Sequence, residues 1–465
     1  MSGVLEVAKR VHFIGIGGIG MSGIAELLIN LGYEVSGSDM QRTEITDRLE
    51  SLGARIVSGH DARNLGSAQV VVFSSAVRAS NPEMVGARER GLVVVARAEL
   101  LAELMQLRQG IAIAGAHGKT TTTSMIALIL DVAGLDPTAV IGGRVSSFGG
   151  NARLGRGKYL VAEADESDRS FLKLSPRFAV ITNIDREHLE AYSDFDDLKA
   201  AFVQFANSVP ANGAVILCSD DPHLRAMRAV ITRHVVTYGL QDGADVTASN
   251  VEMKGYGATC IVRSLRPGGR PVELGSLRLS VPGRHNVLNA LAAVTMAREL
   301  GIPFCDIAQA IEGFHGAERR FQRRGEANGV TVVEDYGHHP TEIAAVIAAA
   351  KPIALGRLVV AFQPHRFTRT QFLMDEFAGA FAGADVLLLT DIYPAGEDPI
   401  KGITLDVLAE RVSAEFTGEL RLVRSLTDVP VELARLAKSG DLILLLGAGS
   451  IGSIAEALLG ALGKS

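Results

Sequence analysis

The sequence contains no tryptophan, and aromatic residues make up only 5% of its 465 positions. Proteins that bind single-stranded nucleic acid without sequence preference stack bases on aromatic side chains, so this composition argues against that class. The formal net charge of −6 points the same way, because a polyanion held by bulk electrostatics needs an excess of lysine and arginine. We therefore predict no nucleic-acid partner. Small phosphorylated ligands in local basic pockets remain compatible with this composition.

Cysteines and long apolar runs are also scarce. Cys218, Cys260 and Cys305 lie far apart and form no C-x-x-C motif, which argues against a disulfide framework and favours a reducing compartment. No uninterrupted apolar stretch reaches the ~18–20 residues that a membrane-spanning helix needs. Residues 11–25 follow two basic residues, as in a signal peptide, but their many glycines suit the apolar part of such a peptide poorly. We interpret the chain as cytoplasmic, with no membrane partner.

Glycine is abundant, with 50 residues, as in α/β enzymes with many tight turns between strands and helices. The length suggests about three domains of ~100–200 residues each. Short apolar runs alternate with amphipathic helical patterns, which predicts parallel, doubly wound sheets. The predicted strands are residues 11–15, 33–37, 70–74, 92–95, 110–114, 159–164, 178–183, 214–218, 331–334, 357–362, 386–390 and 442–447.

The predicted fold class is therefore α/β with three domains. Residues 1–107 form an N-terminal Rossmann-like domain, and residues 108–317 a central ATPase-like α/β domain with a phosphate loop. Within the central domain, residues 243–281 are short, alternating and interrupted by glycine, which favours an antiparallel addition. Residues 318–465 form a C-terminal Rossmann-like domain, and the basic, polar residues 318–325 separate it from the central one.

A glycine-rich motif follows the first predicted strand. Gly15 to Gly20 read G-I-G-G-I-G, and Asp39 ends the next strand, where a ribose-binding acid is typical. Glycines allow a tight turn and let phosphate oxygens approach bare backbone amides at the start of a helix. A dinucleotide is the obvious ligand. The motif is weak on its own, however, because residues 447–452 repeat it, and close packing of a helix on a strand also explains many matches.

A second loop is more specific. It reads Gly115-Ala116-His117-Gly118-Lys119-Thr120-Thr121 between a buried strand and a helix. Backbone amides of such a loop surround phosphates, the lysine supplies a point charge, and the threonine hydroxyl can bind Mg²⁺. The spacing is G-x-x-G-K-T, shorter than a Walker A motif. We predict a nucleotide triphosphate site here.

Acidic and polar residues follow the next two strands of this domain. Glu163-Ala164-Asp165-Glu166-Ser167-Asp168 comes directly after one strand, and Thr182-Asn183-Ile184-Asp185 ends the other, with His188 nearby. Ligands bind at the carboxyl ends of parallel strands, and carboxylates suit Mg²⁺. A solvated loop is the alternative interpretation of these acids.

The third domain has the same arrangement. Glu334 to Pro340 and Phe362 to Arg369 end two strands and contribute histidines and arginines, which suit a carboxylate or phosphate ligand. A zinc site at His338 and His339 is disfavoured, because no acid or cysteine ligand set surrounds them.

Together these runs resemble the Mur ligase family over essentially the whole chain. The most specific segments are HFIGIGGIGMSGIA (residues 12–25), GAHGKTTT (115–122), EADESD (163–168), DYGHHPTE (335–342) and HRFTRT (365–370). The resemblance is greatest to members that join L-alanine to the lactyl carboxylate of UDP-N-acetylmuramate through an acyl phosphate, in peptidoglycan precursor synthesis. It implies an ATP-dependent amino-acid ligase that uses Mg²⁺, with successive domains for the UDP-sugar, ATP and the amino acid. A monomer or homodimer is expected.

The resemblance also implies roles for individual residues. For the UDP-sugar they are Gly17, Gly18, Ile19, Gly20, Ser38, Asp39 and Ser75. For ATP they are Gly115, Ala116, His117, Gly118, Lys119, Thr120, Thr121, Asn183, Asn289, Arg320 and Asp335. For the metal they are Thr120, Glu163 and His188. For the amino acid and acyl phosphate they are Tyr336, His338, His365, Arg366 and Arg369. Lys119, His338, Arg366 and Arg369 are the catalytic candidates, with His338 placed to help deprotonate the amine.

Two departures and three alternatives accompany the resemblance. Ala116 stands where the family usually has threonine, and Lys199 is not assigned to the carbamylated lysine that several relatives carry. The nearest alternative is a ligase that joins the same UDP-sugar to a recycled tripeptide. A remote one is an NAD-dependent dehydrogenase, which leaves the GKT, EADESD and DYGHHP segments without a purpose. A non-catalytic nucleotide-binding regulator would require a disrupted lysine or metal position, and the sequence has none.

Overall fold

The computed structural model describes residues 4–74, 76–145, 150–265 and 270–463. Contacts divide the chain into two compact units. The first consists of Met1–Asn250, Cys260–Leu277 and Leu288–Phe314, and the second of Val251–Thr259, Arg278–Val287 and His315–Ser465. Three sheets are built from consecutive parts of the sequence, which confirms the predicted three-domain α/β fold. The exact domain boundaries remain predictions.

The first sheet has five parallel strands in the order β3-β2-β1-β4-β5. The first strand lies at the centre, with Phe13 and Ile14 fully buried. Its carboxyl end therefore lies beside that of the second strand, where the glycine motif and Asp39 follow. The elements are α1 (Val4–Val7), β1 (Arg10–Ile14), α2 (Ile19–Asn30), β2 (Glu34–Asp39), α3 (Glu44–Ser51), β3 (Arg55–Ser58), β4 (Val70–Phe73), α4 (Pro82–Glu89), β5 (Val93–Ala96) and α5 (Arg97–Gln106).

The second sheet has ten strands in the order β15-β14-β13-β12-β11-β10-β6-β9-β7-β8. Its central strand β6 pairs in parallel with β10 and β9, so the loops after these three strands meet at one edge. The elements are β6 (Gln109–Ala114), α6 (Lys119–Val132), β7 (Thr138–Val145), β8 (Gly150–Arg153), β9 (Tyr159–Glu163), β10 (Phe178–Ile181), α7 (Phe195–Asn207), β11 (Ala214–Cys218), α8 (Pro222–Met227), β12 (Val235–Gly239), β13 (Val246–Lys254), β14 (Gly257–Leu265), β15 (Pro271–Leu279), α9 (Arg284–Glu299) and α10 (Phe304–Glu312).

The predicted antiparallel addition corresponds to β13, β14 and β15, which are neighbours in the sheet in sequence order. Only Gly255 and Tyr256 connect β13 to β14. A connection this short requires antiparallel strands, because a parallel crossover needs a dozen residues or more. Gly255 has φ +54°, a left-handed conformation that glycine adopts at little cost.

The third sheet has the order β16-β17-β21-β18-β19-β20, with β16 antiparallel to β17 and the other pairs parallel. The elements are β16 (Gln322–Ala327), β17 (Val330–Asp335), α11 (Pro340–Ala350), β18 (Leu358–Phe362), α12 (Phe367–Phe372), α13 (Met374–Ala380), β19 (Val386–Leu389), α14 (Leu405–Ser413), β20 (Glu419–Leu422), α15 (Val429–Leu436), β21 (Leu442–Leu446) and α16 (Ala455–Leu462).

Helices cover both faces of this third sheet. Leu444 of β21 packs in one apolar cluster with Ile347 of α11, and its neighbour Leu445 packs in another with Leu458 of α16. Successive side chains of a strand point to opposite faces, so a strand covered on both sides must be apolar at every position. This explains why β21 is an unbroken run of leucine and isoleucine.

The strands that sequence patterns did not predict lie mainly at edges. The polar segment 318–325, interpreted as a separator, contains most of β16, and β20 is equally polar. An edge strand has one partner, and charged side chains on it discourage pairing with other chains. Such strands lack the apolar run by which the central strands are recognised.

A buried carboxylate ties the first sheet together. Glu83, near the start of α4, is fully buried and accepts hydrogen bonds from His12 Nε2 (2.8 Å), Ser38 Oγ (2.8 Å) and Asn64 Nδ2 (3.0 Å). Burial alone would raise the pKa of Glu83, but these hydrogen bonds outweigh it and lower the pKa to about 2. Glu83 therefore joins β1, β2 and the loop after β3.

We expect Glu83→Gln to lower the free energy of unfolding by about 3 kcal/mol at neutral pH, since it removes a buried, hydrogen-bonded charge. The folded pKa of Glu83 lies below the ordinary 4.5, so its contribution is complete above pH 4.5 and is lost as the pH falls towards 2. Urea unfolding followed by circular dichroism at several pH values measures this. A difference between wild type and variant that does not shrink below pH 4.5 would contradict the account.

Candidate active site

The phosphate loop connects β6 to α6 and depends on two glycines. Gly115 has φ +127°, and a Cβ there would lie 2.2 Å from Thr182 Oγ1. Gly118, the residue before α6, has φ +82°, and its Cβ would lie 2.5 Å from Asn289 Oδ1. Both positions therefore require glycine on conformational and steric grounds. The helix begins at Lys119, directly after Gly118.

The end of β10 braces this loop. Asn183 accepts a hydrogen bond from His117 N at Oδ1 (2.8 Å) and donates one from Nδ2 to His117 O (3.0 Å). Thr182 Oγ1 donates to the same carbonyl (2.6 Å). His117 Nε2 lies 2.9 Å from Asp185 Oδ2, so the loop is held at both backbone and side chain. Asn183 thus holds the loop in shape, and its contact with the γ-phosphate stays a prediction.

Lys119 lies in an acidic and carbonyl-lined pocket. Its Nζ is 2.8 Å and 3.0 Å from the two carboxylate oxygens of Glu166 and donates to Gly115 O (2.6 Å). Burial lowers the pKa of Lys119, but the charges of Glu166 and Asp165 outweigh burial and raise it, so the ammonium stays charged. The side chain of Glu166 is only 3% exposed, which makes this a buried ion pair.

Two of the predicted metal ligands, Thr120 and Glu163, each lie close to a glycine of β7. A Cβ on Gly142 would lie 2.6 Å from Glu163 Oε2, and one on the adjacent Gly143 would lie 3.1 Å from Thr120 Cγ2. Small residues on β7 therefore leave room for both side chains. Hydroxyl and carboxylate oxygens are donors that Mg²⁺ prefers, so this part of the predicted set fits the ion.

His188, the third predicted ligand, is half-buried and has φ +58°. Burial lowers the pKa of His188, but the nearby carboxylates of Glu190, Glu187 and Glu166 outweigh burial, so the pKa is raised. Several carboxylates surrounding one histidine create a negative potential that favours a cation.

Asn289, predicted to bind adenine, lies against the phosphate loop. Its Oδ1 accepts a hydrogen bond from Thr122 Oγ1 (3.3 Å), and the residue limits position 118 to glycine. Asn289 thus lies against the phosphate loop, while its contact with the nucleotide stays a prediction.

The glycine motif of the first sheet forms a turn between β1 and α2. Gly15 (φ +74°) donates from its amide to Ser38 O (2.8 Å), and Gly17 N donates to Asp39 Oδ2 (2.9 Å). Asp39 therefore holds the loop itself. Ser38 is fully buried and its hydroxyl is bonded to Glu83, so the side chain supports the site from inside. Ser75, also predicted here, lies outside the described residues.

The third sheet gathers the predicted aromatic and basic residues at its strand ends. The ring of His338 lies 5.4 Å from that of Tyr336 and 5.8 Å from that of His365. Arg369 Nη1 lies 3.0 Å from His365 Nδ1. Because arginine can only donate, His365 accepts at Nδ1 and carries its proton on Nε2. Burial and the neighbouring cations lower the pKa of His365 to about 3, so it is neutral at physiological pH.

Asp335 and Arg320 adjoin this cluster. Asp335 accepts hydrogen bonds from Phe321 N and Gly337 N, both at 2.7 Å, and burial raises its pKa to about 6. The guanidinium of Arg320 lies 5.1 Å from the centre of the Tyr336 ring. Arg366 has φ +71° at the start of α12 and bonds through its amide to Tyr393 O (2.8 Å).

The space beside the second glycine motif, residues 447–452, is occupied by side chains of the protein itself. A Cβ on Gly452 would lie 1.8 Å from Glu334 Oε1, and Gln363 Oε1 accepts from Ile451 N (3.0 Å). Arg319 Nη2 donates to the carbonyls of Gly447 and Gly449. Close packing of a helix on a strand thus explains this second glycine motif, which is the alternative noted above for such motifs.

Comparison with known proteins decides the family. The model of the Mur ligase family catalytic domain matches residues 10–109, the Mur ligase middle domain matches residues 113–297, and the Mur ligase glutamate ligase domain matches residues 319–449. The chain belongs to the Mur ligase family.

Curated relatives include the UDP-N-acetylmuramate–L-alanine ligases of Syntrophus aciditrophicus and Geotalea uraniireducens. They are 51% and 52% identical to this chain over 451 residues, covering 97% of it and 93% and 97% of those proteins. Among solved structures, the UDP-N-acetylmuramate–alanine ligase of Thermotoga maritima has a TM-score of 0.81 and 30% identity, covering 97% of this chain and 98% of that one. A murein peptide ligase of Psychrobacter arcticus has a TM-score of 0.73 and 26% identity, covering 98% and 99%.

Membership of the Mur ligase family removes the dehydrogenase interpretation of the first glycine motif. The cysteines Cys218, Cys260 and Cys305 are free, as predicted. Within the described ranges, none of the helices is both long and apolar enough to cross a bilayer. Lys199 pairs with Asp196 (2.5 Å) on the surface of α7.

Motifs did not single out several residues that the Mur ligase structure brings to these sites. Tyr393 stacks on His365 with ring centres 5.6 Å apart, and Arg319 lies over Tyr336. Tyr393 follows β19 directly, so the strand-end rule that found His365 applies to it as well. Arg97, which pairs with Asp165 (3.1 Å), belongs to no motif.

We expect Asn183→Ala to raise the dissociation constant for a non-hydrolysable ATP analogue with Mg²⁺ by about tenfold or more. The substitution leaves the His117 amide and carbonyl without the side chain that orders the loop, and an ordered loop binds phosphate at lower entropic cost. Isothermal titration calorimetry measures this dissociation constant.

Asn207→Ala is the matched control, since Asn207 accepts a comparable bond from Thr232 N (2.9 Å) on the exposed surface. Equal affinity in wild type and Asn183→Ala would show that the loop does not depend on this brace.

Proposed function

We propose that this chain joins L-alanine to the lactyl carboxylate of UDP-N-acetylmuramate at the expense of ATP, in the cytoplasmic synthesis of peptidoglycan precursors. The observation that carries the proposal is identity of about 52% to ligases of that name, over 97% of the chain. The matched region covers all three predicted domains, each of which would bind one substrate.

The reaction begins at the phosphate loop. The lactyl carboxylate attacks the γ-phosphorus of ATP, which forms an acyl phosphate and releases ADP. Lys119 and the loop amides stabilise the charge on the transferring phosphoryl group, as in other phosphoryl-transfer sites. Mg²⁺, held by Thr120 and Glu163 with His188 nearby, would neutralise further charge on the phosphates.

Ligation follows in the third domain. The amine of L-alanine attacks the carbonyl carbon of the acyl phosphate, and inorganic phosphate leaves. His338 donates from Nδ1 to Tyr336 O (3.1 Å), so the lone pair of the neutral ring is on Nε2. That nitrogen is our candidate for accepting a proton from the amine. Arg366 and Arg369 would bind the carboxylate or the acyl phosphate.

A ligase that attaches a tripeptide to the same UDP-sugar is the second candidate, because the Psychrobacter murein peptide ligase has a similar structure. The Thermotoga alanine ligase is more similar in both TM-score, 0.81 against 0.73, and identity, 30% against 26%. The first candidate is therefore favoured. A monomer or a homodimer remains our expectation.

We expect phosphate release with ATP, Mg²⁺ and UDP-N-acetylmuramate to depend on L-alanine. The murein tripeptide L-alanyl-γ-D-glutamyl-meso-diaminopimelate should support less than about a hundredth of the kcat/KM for L-alanine. A coupled assay for phosphate, with each acceptor in turn, measures this. A higher kcat/KM with the tripeptide would overturn the proposal in favour of the second candidate.

A further inference from the structure

The glycine loop of the first sheet lacks the positive charge that a diphosphate needs. The loop sequence G-I-G-G-I-G contains no cationic side chain, and the Asp39 carboxylate approaches it at Gly17 N (2.9 Å). The amide of Gly18 is also engaged, with Gly15 O at 3.2 Å. Two of the amides that could cradle phosphate are thus occupied, and one neighbouring side chain is negative. A cation must come from another segment.

Arg97 is the cation that lies against this loop. It is the first residue of α5, and its side chain is 20% exposed. A Cβ on Gly20 would lie 2.8 Å from Arg97 Nη1 and 3.3 Å from Cζ. The guanidinium therefore lies directly against the last glycine of the motif.

Arg97 lies at the start of α5, where a cation is unfavourable unless an anion lies nearby. Cations are disfavoured in the first turn of a helix, where the backbone dipole is positive. Among the described residues, the guanidinium makes one side-chain hydrogen bond, from Nη2 to Asp165 Oδ2 (3.1 Å). Nη1 is the nitrogen that lies nearest the glycine loop, so Arg97 presents donors there as well as to Asp165.

Asp165 orients the Arg97 guanidinium through its hydrogen bond from Nη2 (3.1 Å). Its carboxylate lies between two cations, since Lys119 and Arg97 both act against burial to lower the pKa of Asp165. The neighbouring Glu166 is committed to Lys119 (2.8 Å). The sequence Asp165-Glu166 therefore holds one cation at each of two phosphate-binding loops, which fixes the Arg97 guanidinium beside Gly20.

We propose that Arg97 is a further substrate-binding residue, whose guanidinium contacts the diphosphate of the UDP-sugar beside Gly20 while Asp165 orients it. This inference rests on the proposed function, because it takes a UDP-sugar as the ligand of the first domain. It assigns a role to a residue that neither the glycine motif nor the phosphate loop includes.

The test is steady-state kinetics of Arg97→Gln and Arg97→Lys, with UDP as a competitive inhibitor. We expect Arg97→Gln to raise the KM for UDP-N-acetylmuramate at least tenfold and the Ki of UDP by the same factor, with kcat within about threefold. The KM for ATP should stay within about twofold, and Arg97→Lys, which keeps the charge without the planar fork, should be intermediate. Arg63→Gln is the control, since Arg63 is 90% exposed and, among the residues that the structure describes, forms its ion pair with Asp61 on the surface of the same domain.

Several outcomes would overturn the inference. An unchanged KM for UDP-N-acetylmuramate in Arg97→Gln would exclude the contact. A raised KM with an unchanged Ki for UDP would place the contact on the sugar or lactyl part instead of the diphosphate. An equal rise in the KM for ATP would mean that Arg97 acts through Lys119. Wild-type protein that fails to ligate L-alanine would instead contradict the proposed function, so the two failures are distinguishable.

Discussion

The buried ion pair between Lys119 and Glu166 is the interaction on which the central site depends. An ammonium buried under a loop of backbone carbonyls requires a counter-charge, and Glu166 supplies it at 2.8 Å and 3.0 Å. The pair is possible because β6 and β9 are adjacent and parallel, so the phosphate loop and the acidic segment leave the sheet at the same edge. The brace from Asn183 arrives from β10 on the other side of β6 for the same reason.

In the other two sheets, too, parallel strands bring polar residues together at one edge. In the first, the ends of β1 and β2 bring together the glycine loop and Asp39, with Glu83 holding both strands from the interior. In the third, Asp335 ends β17, and His365 and Tyr393 follow β18 and β19. Parallel strands place such residues side by side although they are distant in sequence. Each sheet thus creates one polar surface suited to a different part of a ligation reaction.

The central parallel strands and the polar residues at their ends could be predicted from the sequence, because buried strands and short motifs have recognisable patterns. Strands such as β6 and β21 are apolar at nearly every position because both faces are covered, and the residues after them were correctly placed at strand ends. Edge strands such as β16 were missed, because one-sided pairing leaves them polar. The roles of individual side chains were harder to predict. Ser38 is buried beneath its site, and Arg97 belongs to no motif, because only the fold brings it against Gly20.

The central claim is that the Lys119 ammonium stabilises the transferring phosphoryl group of ATP. The most direct measurement is the rate of phosphate release by Lys119→Ala with ATP, Mg²⁺, UDP-N-acetylmuramate and L-alanine all saturating, beside equilibrium binding of the UDP-sugar. The account predicts a loss of rate of about a thousandfold or more, as for other residues that stabilise transition-state charge, with UDP-sugar binding retained. Normal ligation by Lys119→Ala would contradict it.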